Sequence, residues 1–247
     1  MSKSLQGKVA LVTGSSRGIG RKVAEQLAGL GASVIINYSS SPQQAQEVVE
    51  GIEAKGGAAA AIQADISQPA QIERLFQESI ALYGKLDIVV NNAGIMINKS
   101  IAEATEQDFD KQFAINVKGT YFSCQQAFRH LEQGGRIINF STSVNGHMFP
   151  AYSIYAGTKG AVEQFTRQLA KEFGAKGITI NAIAPGPVST ELFLEGKSEQ
   201  QLENLKKSNA LGRLGETEDI AKVVSFLAGP DSQWITGQTI RVNGGFI

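Results

Sequence analysis

The chain has 247 residues, 42% hydrophobic and 19% charged, a composition suited to one larger α/β domain whose core needs no disulfide or metal. Its 23 basic residues balance 23 acidic ones, which argues against a nucleic-acid or acidic-lipid surface. A single cysteine, Cys124, excludes an intrachain disulfide, and no apolar run is long enough to cross a bilayer. Cys124 is expected to be an inert, buried small side chain. The opening stretch, Met1 to Lys8, has no apolar targeting core, so the expectation is a soluble cytoplasmic protein with no membrane partner.

Apolar runs suited to buried parallel strands alternate with helical patterns along the whole length. The first strand is predicted at Val9 to Thr13, before a helix from about Gly18 to Leu30. A strand at Ser33 to Asn37, a helix from about Pro42 to Lys55 and a strand at Ala58 to Gln63 follow. Next come a helix beginning near Pro69, a strand at Leu86 to Val90 and a long helical stretch from about Asp108 to His130. A strand at Arg136 to Ser141, a helix from about Tyr155 to Phe173 and a strand at Ile178 to Ile183 come after it. A polar insertion at about Thr190 to Leu214, a helix near Thr217 to Leu227 and a strand near Thr239 to Val242 complete the chain. This unbroken rhythm predicts one α/β domain over residues 1–247. Its architecture is a Rossmann-type, doubly wound parallel sheet of about seven strands with helices on both faces. Ligands of such sheets sit outside the carboxyl ends of the strands, so residues just after strands are the first candidates.

Thr13-Gly14-Ser15-Ser16-Arg17-Gly18-Ile19-Gly20 follows the first strand and opens a helix. Glycines there let a pyrophosphate approach the backbone, and the helix start supplies free N–H donors. The spacing is Gly-x-x-x-Gly-x-Gly rather than Gly-x-Gly-x-x-Gly. Ser16, Arg17 and Ile19 therefore join Gly14, Gly18 and Gly20 as candidate cofactor residues. The second strand ends in Asn37-Tyr38-Ser39-Ser40, with no carboxylate to hold ribose hydroxyls as NAD sites usually do. Hydroxyls, an amide and the Arg17 guanidinium suit a 2′-phosphate, so NADP is expected in preference to NAD. Asp65, with Ile66 beside it, either accepts from an adenine amine or caps the helix that starts nearby.

Tyr155-Ala-Gly-Thr-Lys159 puts a phenol and an ammonium on one helix face, because residues four apart are neighbours. A cation beside a phenol favours the phenolate and is expected to draw its pKa down. Such a pair can pass a proton to or from an alcohol or carbonyl oxygen near neutral pH.

The glycine turn, Asp65, Asn91-Asn92-Ala93-Gly94, Asn116, Tyr155-x-x-x-Lys159 and Pro185-Gly186 occur in this order. With them the chain resembles the short-chain dehydrogenase/reductase family from about Lys8 to the C-terminus. Within that family it is most similar to NADPH-dependent 3-oxoacyl-carrier-protein reductases and polyhydroxynaphthalene-reductase-like enzymes. The resemblance implies reversible hydride transfer between nicotinamide and a carbonyl or secondary alcohol. It makes Tyr155 the acid in reduction and the base in oxidation. Lys159 would lower the tyrosine's pKa and hold the nicotinamide ribose, and Asn116 would position a relay water. Asn92, Ala93 and Gly94 would line the cofactor, while Pro185, Gly186, Val188 and Thr190 would border the nicotinamide. It also implies a homotetramer with the helices from about Asp108 and Tyr155 at an interface. One position departs from the pattern: the family's usual serine, thirteen residues before the tyrosine, is Thr142 here. A bulge would bring Ser143 to that place instead, so both remain candidates, with the ungapped count favouring Thr142.

His130 and His147 lie apart, without acids or cysteines at ligand spacing, so no metal is expected. Met96, Met148, Phe149, Tyr152, Leu192 and Phe193 fall on predicted loops at the catalytic edge and suggest a largely apolar pocket, while His147, in the loop after the fifth strand, is read as a plain loop histidine beside it. Lys206 and Lys207 suit either a solvated helix face or an acidic carrier protein. Two rivals remain: an NAD-preferring alcohol or sugar dehydrogenase, and a dinucleotide-sensing protein that has lost its chemistry.

Overall fold

Strand β1 (Val9–Val12) is buried at all four positions, as a run of Val-Ala-Leu-Val should be when both sheet faces are covered. The structure is a computed structural model that describes residues 4–247; Met1 to Lys3 and the side chain of Leu192 lie outside the described residues. After β1 come α1 (Gly18–Gly29), β2 (Ser33–Tyr38), α2 (Pro42–Glu53), β3 (Ala58–Gln63) and α3 (Pro69–Tyr83). Then follow β4 (Ile88–Asn91), α4 (Glu106–Gln112), α5 (Thr120–His130), β5 (Arg136–Phe140), α6 (Ser153–Gly174) and β6 (Thr179–Pro185). The chain ends with α7 (Glu191–Leu194), α8 (Glu199–Ser208), α9 (Thr217–Ala228) and β7 (Thr239–Val242).

The described strands form one parallel sheet of seven in the order β3-β2-β1-β4-β5-β6-β7. Val12 is in register with Ile36 on one side and Val90 on the other. The order therefore reverses between β1 and β4, and their carboxyl ends flank the crevice where such sheets bind ligands. Two apolar layers cover the sheet. Val23, Leu27, Val48, Ile52, Val224 and Leu227 pack one face from α1, α2 and α9. Ile72, Leu75, Phe76, Cys124 and Phe173 pack the other from α3, α5 and α6. Each fully buried Leu, Ile or Phe stabilises the fold by about 1.5–3 kcal/mol relative to exposure.

Two expectations needed correction. The stretch predicted from Asp108 begins at Glu106, where Thr105 and Asp108 form a reciprocal capping box. It is also interrupted, because Phe113–Gly119 winds as a wider π-type turn between α4 and α5. The insertion at Thr190 to Leu214 is not a plain loop but carries α7 and α8. Ser198 and Gln201 cap α8 reciprocally, a Ser-x-x-Gln signal present in the sequence. Phe193 accordingly lies on a short helix rather than a loop.

Candidate active site

The crevice floor is the glycine turn. Gly14 has φ +61°, and a Cβ there would sit 2.9 Å from the Cα of Ala93. A Cβ on Gly20 would strike the Gly14 carbonyl and the Asn92 amide. These glycines let the turn and the Asn92 loop close on each other. Asn92 Nδ2 donates to the carbonyls of Thr13 (2.9 Å) and Gly14 (3.0 Å). The Thr13 hydroxyl accepts from the N–H groups of Asn92 and Ala93, each at 3.1 Å. Helix α1 starts behind Arg17 with no side-chain cap, so its first N–H groups stand at the glycine turn without a capping hydrogen bond. Such a bare helix start above a glycine cradle fits a dinucleotide pyrophosphate.

At the other end of the groove, Ser39, Ser40 and Arg17 are exposed, Ser16 is buried, and Ile19 and Tyr38 are partly buried against the core. Asn37 does not reach into the groove. It is 2% exposed, its Oδ1 accepts from the Gly14 N–H, and its Nδ2 donates to the carbonyls of Ile62 and Ala64. The expected ligand contact is corrected to a strut that holds the glycine turn against β3. Asp65 accepts from the Ser67 N–H at 2.9 Å, a turn contact ahead of α3, and Ile66 packs beneath Gly119.

Helix α6 carries Tyr155, Lys159 and Glu163 as a stripe. Three of its residues, four apart, each meet the end of β5 or the turn after it. The Tyr155 phenol lies beside the Thr142 hydroxyl, near enough for that hydroxyl to favour the phenolate. The Lys159 ammonium donates to the Phe140 carbonyl at 2.7 Å. The Glu163 carboxylate accepts from Ser141 (2.5 Å) and Asn145 (2.9 Å). Ser143 points elsewhere, donating to the Ala184 carbonyl at 2.9 Å and accepting from Asn243 at 3.1 Å. A 3-10 turn begins at Ser143 and runs to Gly146, with the Thr142 hydroxyl as its cap. Of the two candidates, Thr142 is the one whose hydroxyl acts on the phenol, while both hydrogen bonds of Ser143 go elsewhere.

The pKa pattern reverses one expectation. Burial pushes the Tyr155 phenol up to about 12, against a downward pull from Thr142, although the residue as a whole stays partly exposed. Lys159, 6% exposed, is drawn down to about 8 by burial. The ammonium lies 5.9 Å from the ring centroid and spends a donor on a carbonyl, so desolvation outweighs the cation's expected effect.

Asn116 lies fully buried in the π-type turn. Its Oδ1 accepts from the Ile95 N–H, and its Nδ2 donates to the Ile95 carbonyl, both at 2.9 Å. The same Nδ2 donates to Thr158 at 3.1 Å, and that hydroxyl donates to the Tyr155 carbonyl. Both ends of the amide, expected to position a water, are thus engaged in joining the loop after β4 to α6. Gly94 lies between the groups: a Cβ there would be 3.2 Å from Asn116 Oδ1 and 3.4 Å from Lys159 Nζ.

Across the crevice, Pro185 ends β6 and the Gly186 N–H donates to the Val242 carbonyl. Val188 is buried and bridges to Gly215. Thr190 caps α7 and lies over Gly18, so the insertion folds back onto the glycine turn. His147, Phe149, Tyr152 and Phe246 form a chain of ring contacts that ends at Tyr155, with centroids 4.6–6.4 Å apart. His147 Nε2 also meets the Phe246 carbonyl at 3.1 Å. Met148 is 98% exposed and so lines no closed pocket. Ala151, just before α6, has φ +69°, a strained value for a residue with a side chain, and its carbonyl accepts from Lys99.

Other candidates fall outside the crevice. Among the described residues no cluster of three His, Cys, Asp or Glu side chains gathers for a metal. His130 stands near Phe76, and burial pushes the Cys124 thiol up to about 12. Lys206 pairs with Glu203 on α8. No described helix is long and apolar enough to cross a membrane. Thr13, Thr158, Glu163 and Phe246 were not singled out from the sequence. The position of Glu163, four after Lys159, was the available signal for one of them.

A family model described as enoyl-(acyl carrier protein) reductase matches residues 14–247. The chain is 45% identical over 258 residues to the hydroxynaphthalene reductase-like protein Arp2 of Metarhizium guizhouense, covering 99% of this chain and 97% of that one. It superposes with TM-score 0.94 and 38% identity on a short chain dehydrogenase from Burkholderia cenocepacia in complex with NADP, covering 98% and 99% of the two chains. TM-score and identity are the same, 0.94 and 38%, for the angucycline C-6 ketoreductase LanV with bound NADP, at 100% and 98% coverage.

Proposed function

This chain belongs to the short-chain dehydrogenase/reductase family of oxidoreductases, and we propose that within it the chain is an NADPH-dependent reductase of ring ketones. The observation that carries the reaction is the stripe on α6: the phenol of Tyr155, beside the Thr142 hydroxyl, stands one helical turn from Lys159, whose ammonium donates to the end of β5. The N–H groups at the start of α1 would hold the pyrophosphate, with Ser16, Gly18 and Ile19 at its edge. Arg17, Ser39 and Ser40 would take the 2′-phosphate, which is why NADP is favoured over NAD. Asp65 and Ile66 would border the adenine; Asn92, Ala93, Gly94, Pro185, Gly186, Val188 and Thr190 would border the ribose and nicotinamide. Bound NADPH supplies the hydride.

The chain's own groups supply the proton. A phenol held near pKa 12 is fully protonated at neutral pH, so Tyr155 is set to donate to the carbonyl oxygen. Thr142 offers that oxygen a second donor. Lys159 replenishes the proton while it is charged, below about pH 8. Asn116 and Thr158 act by holding α6 and the Ile95 loop in place.

The aromatic wall of Phe149, Tyr152 and Phe246 favours a flat ring ketone over an open-chain 3-oxoacyl thioester. The names of the hydroxynaphthalene reductase-like relative and of the angucycline ketoreductase agree with a fused-ring substrate. An apolar groove of Phe113, Val117, Tyr121 and Phe165 on the α4–α6 face supports a homotetramer as the assembled form.

The test is oxidation of NADPH and NADH with a fused-ring ketone, an aliphatic ketone and a 3-oxoacyl thioester. Fastest turnover is expected with NADPH and the ring ketone. Faster reaction with NADH would favour the alcohol or sugar dehydrogenase, and NADP binding without turnover of any carbonyl would favour the sensor.

A further inference from the structure

We propose that Glu163 is a positioning residue that acts on the reacting phenol through Thr142. The proposal rests on the acid–base roles above and adds a residue that they do not use. Glu163 is two helical turns along α6 from Tyr155, on the same stripe. One carboxylate oxygen, Oε1, accepts from Ser141 Oγ at 2.5 Å and from Asn145 Nδ2 at 2.9 Å. These two donors bracket Thr142, one residue before it and three after. The segment between them holds the start of the 3-10 turn, Ser143 to Gly146, that the Thr142 hydroxyl caps through the Val144 N–H at 3.3 Å. Ser143 anchors the turn on its far side to Ala184 and Asn243.

Without the carboxylate, the turn would keep no hydrogen bond to α6, and the Lys159 bond to Phe140 would hold only the end of β5 before it. Ser141 and Asn145 would lose their shared acceptor, and the Thr142 hydroxyl would lose its fixed approach to the phenol. A misplacement of this kind lowers the chemical step by on the order of tenfold to a hundredfold and leaves cofactor binding intact. Glutamine keeps the accepting oxygen, so Glu163→Gln is expected to retain most of the rate.

The test compares Glu163→Ala, Glu163→Gln, Thr142→Ala and the Glu163→Ala/Thr142→Ala double variant. We expect Glu163→Ala to lose kcat by the stated factor with the KM for NADPH unchanged. In the Thr142→Ala background the same change is expected to cost less than about twofold, since coupled residues are not additive. An equal loss in both backgrounds, or a wild-type kcat in folded Glu163→Ala, overturns the proposal. A merely structural Glu163 would lower Tm without this coupling. If Glu163→Ala does not fold, folded Ser141→Ala carries the test, and an unchanged kcat there is equally fatal. A readout independent of turnover is the carbon-13 ring signal of Tyr155, assigned with Tyr155→Phe. Glu163→Ala and Thr142→Ala are both expected to move it, and an unmoved signal in Glu163→Ala overturns the proposal even if no carbonyl is reduced.

Discussion

The ammonium of Lys159 donates to the main-chain carbonyl of Phe140 at 2.7 Å, so it grips the end of β5 two residues before Thr142. One buried cation thereby ties α6 to the strand whose end carries the second hydroxyl of the site. Its burial has consequences for stability as well as for chemistry.

Lys159→Met is expected to abolish turnover yet raise stability at pH 7 by about 1–2 kcal/mol, because a desolvated charge is removed at the loss of one hydrogen bond. The sign follows from the lysine's depression from 10.5 to about 8 on folding. Between those values the unfolded chain binds a proton that the folded chain does not, so the wild-type penalty grows as pH falls from 10.5 to 8 and is constant below. The variant's advantage should therefore vanish above about pH 10.5, as denaturant midpoints across that range will show.

Tyr155→Phe is expected to lower kcat by about 10²–10⁴ while NADPH still binds, the usual loss for a general acid. In the wild type, kcat/KM for reduction should fall as pH rises through about 8, tracking Lys159 rather than the phenol near 12. A pH–rate profile with its break near 10 or above would contradict the assignment.

Thr142→Ala and Ser143→Ala should separate cleanly. Loss of the Thr142 hydroxyl is expected to lower kcat by about 10²–10³, as for a donor aimed at developing negative charge. Ser143→Ala removes two buried hydrogen bonds and should lower stability by about 1–3 kcal/mol with a smaller effect on kcat. Steady-state kinetics and thermal melts of both variants decide it.

Arg17→Ala is expected to raise the KM for NADPH about tenfold or more and leave that for NADH nearly unchanged, since a charge-assisted contact contributes about 1.5–3 kcal/mol. Equal effects on both cofactors would remove Arg17 from the 2′-phosphate site.

Phe165→Glu places a charge where Phe165 packs edge-on against Tyr121 at 5.1 Å, on an apolar groove. Light scattering is expected to show a tetramer for the wild type and smaller species for the variant. An unchanged mass would move the interface elsewhere.

The fold was legible because its signals are local and periodic. Apolar runs such as Val9 to Val12 and Ile88 to Val90 alternate with amphipathic helices, and the glycine turn follows the first strand directly. Boundaries shifted by a residue or two, as hydrogen bonding rather than composition sets them. The π-type turn at Phe113–Gly119 had no periodic signature, since it is one widened turn inside an otherwise helical run.

Within the site, residue types announced Tyr155, Lys159 and the glycine cradle, because their four-residue spacing and strand–turn–helix context carry chemistry in themselves. Where each polar side chain spends its hydrogen bonds was a different matter. Asn37 has the composition of a ligand contact but is consumed by Gly14, Ile62 and Ala64, and Asn116 by Ile95 and Thr158.

Local pattern was enough for the layered sheet, the cradle and the pairing of a phenol with an amine on one helix face, all properties of neighbours along the chain. Long-range packing is what turns Ser143 toward Ala184 and Asn243 and leaves Thr142 beside the phenol. It also lets burial, not the neighbouring cation, govern the phenol's pKa, and it returns Phe246 to His147. Those outcomes depend on desolvation and on contacts between segments far apart in the chain, and no local pattern of residues encodes either.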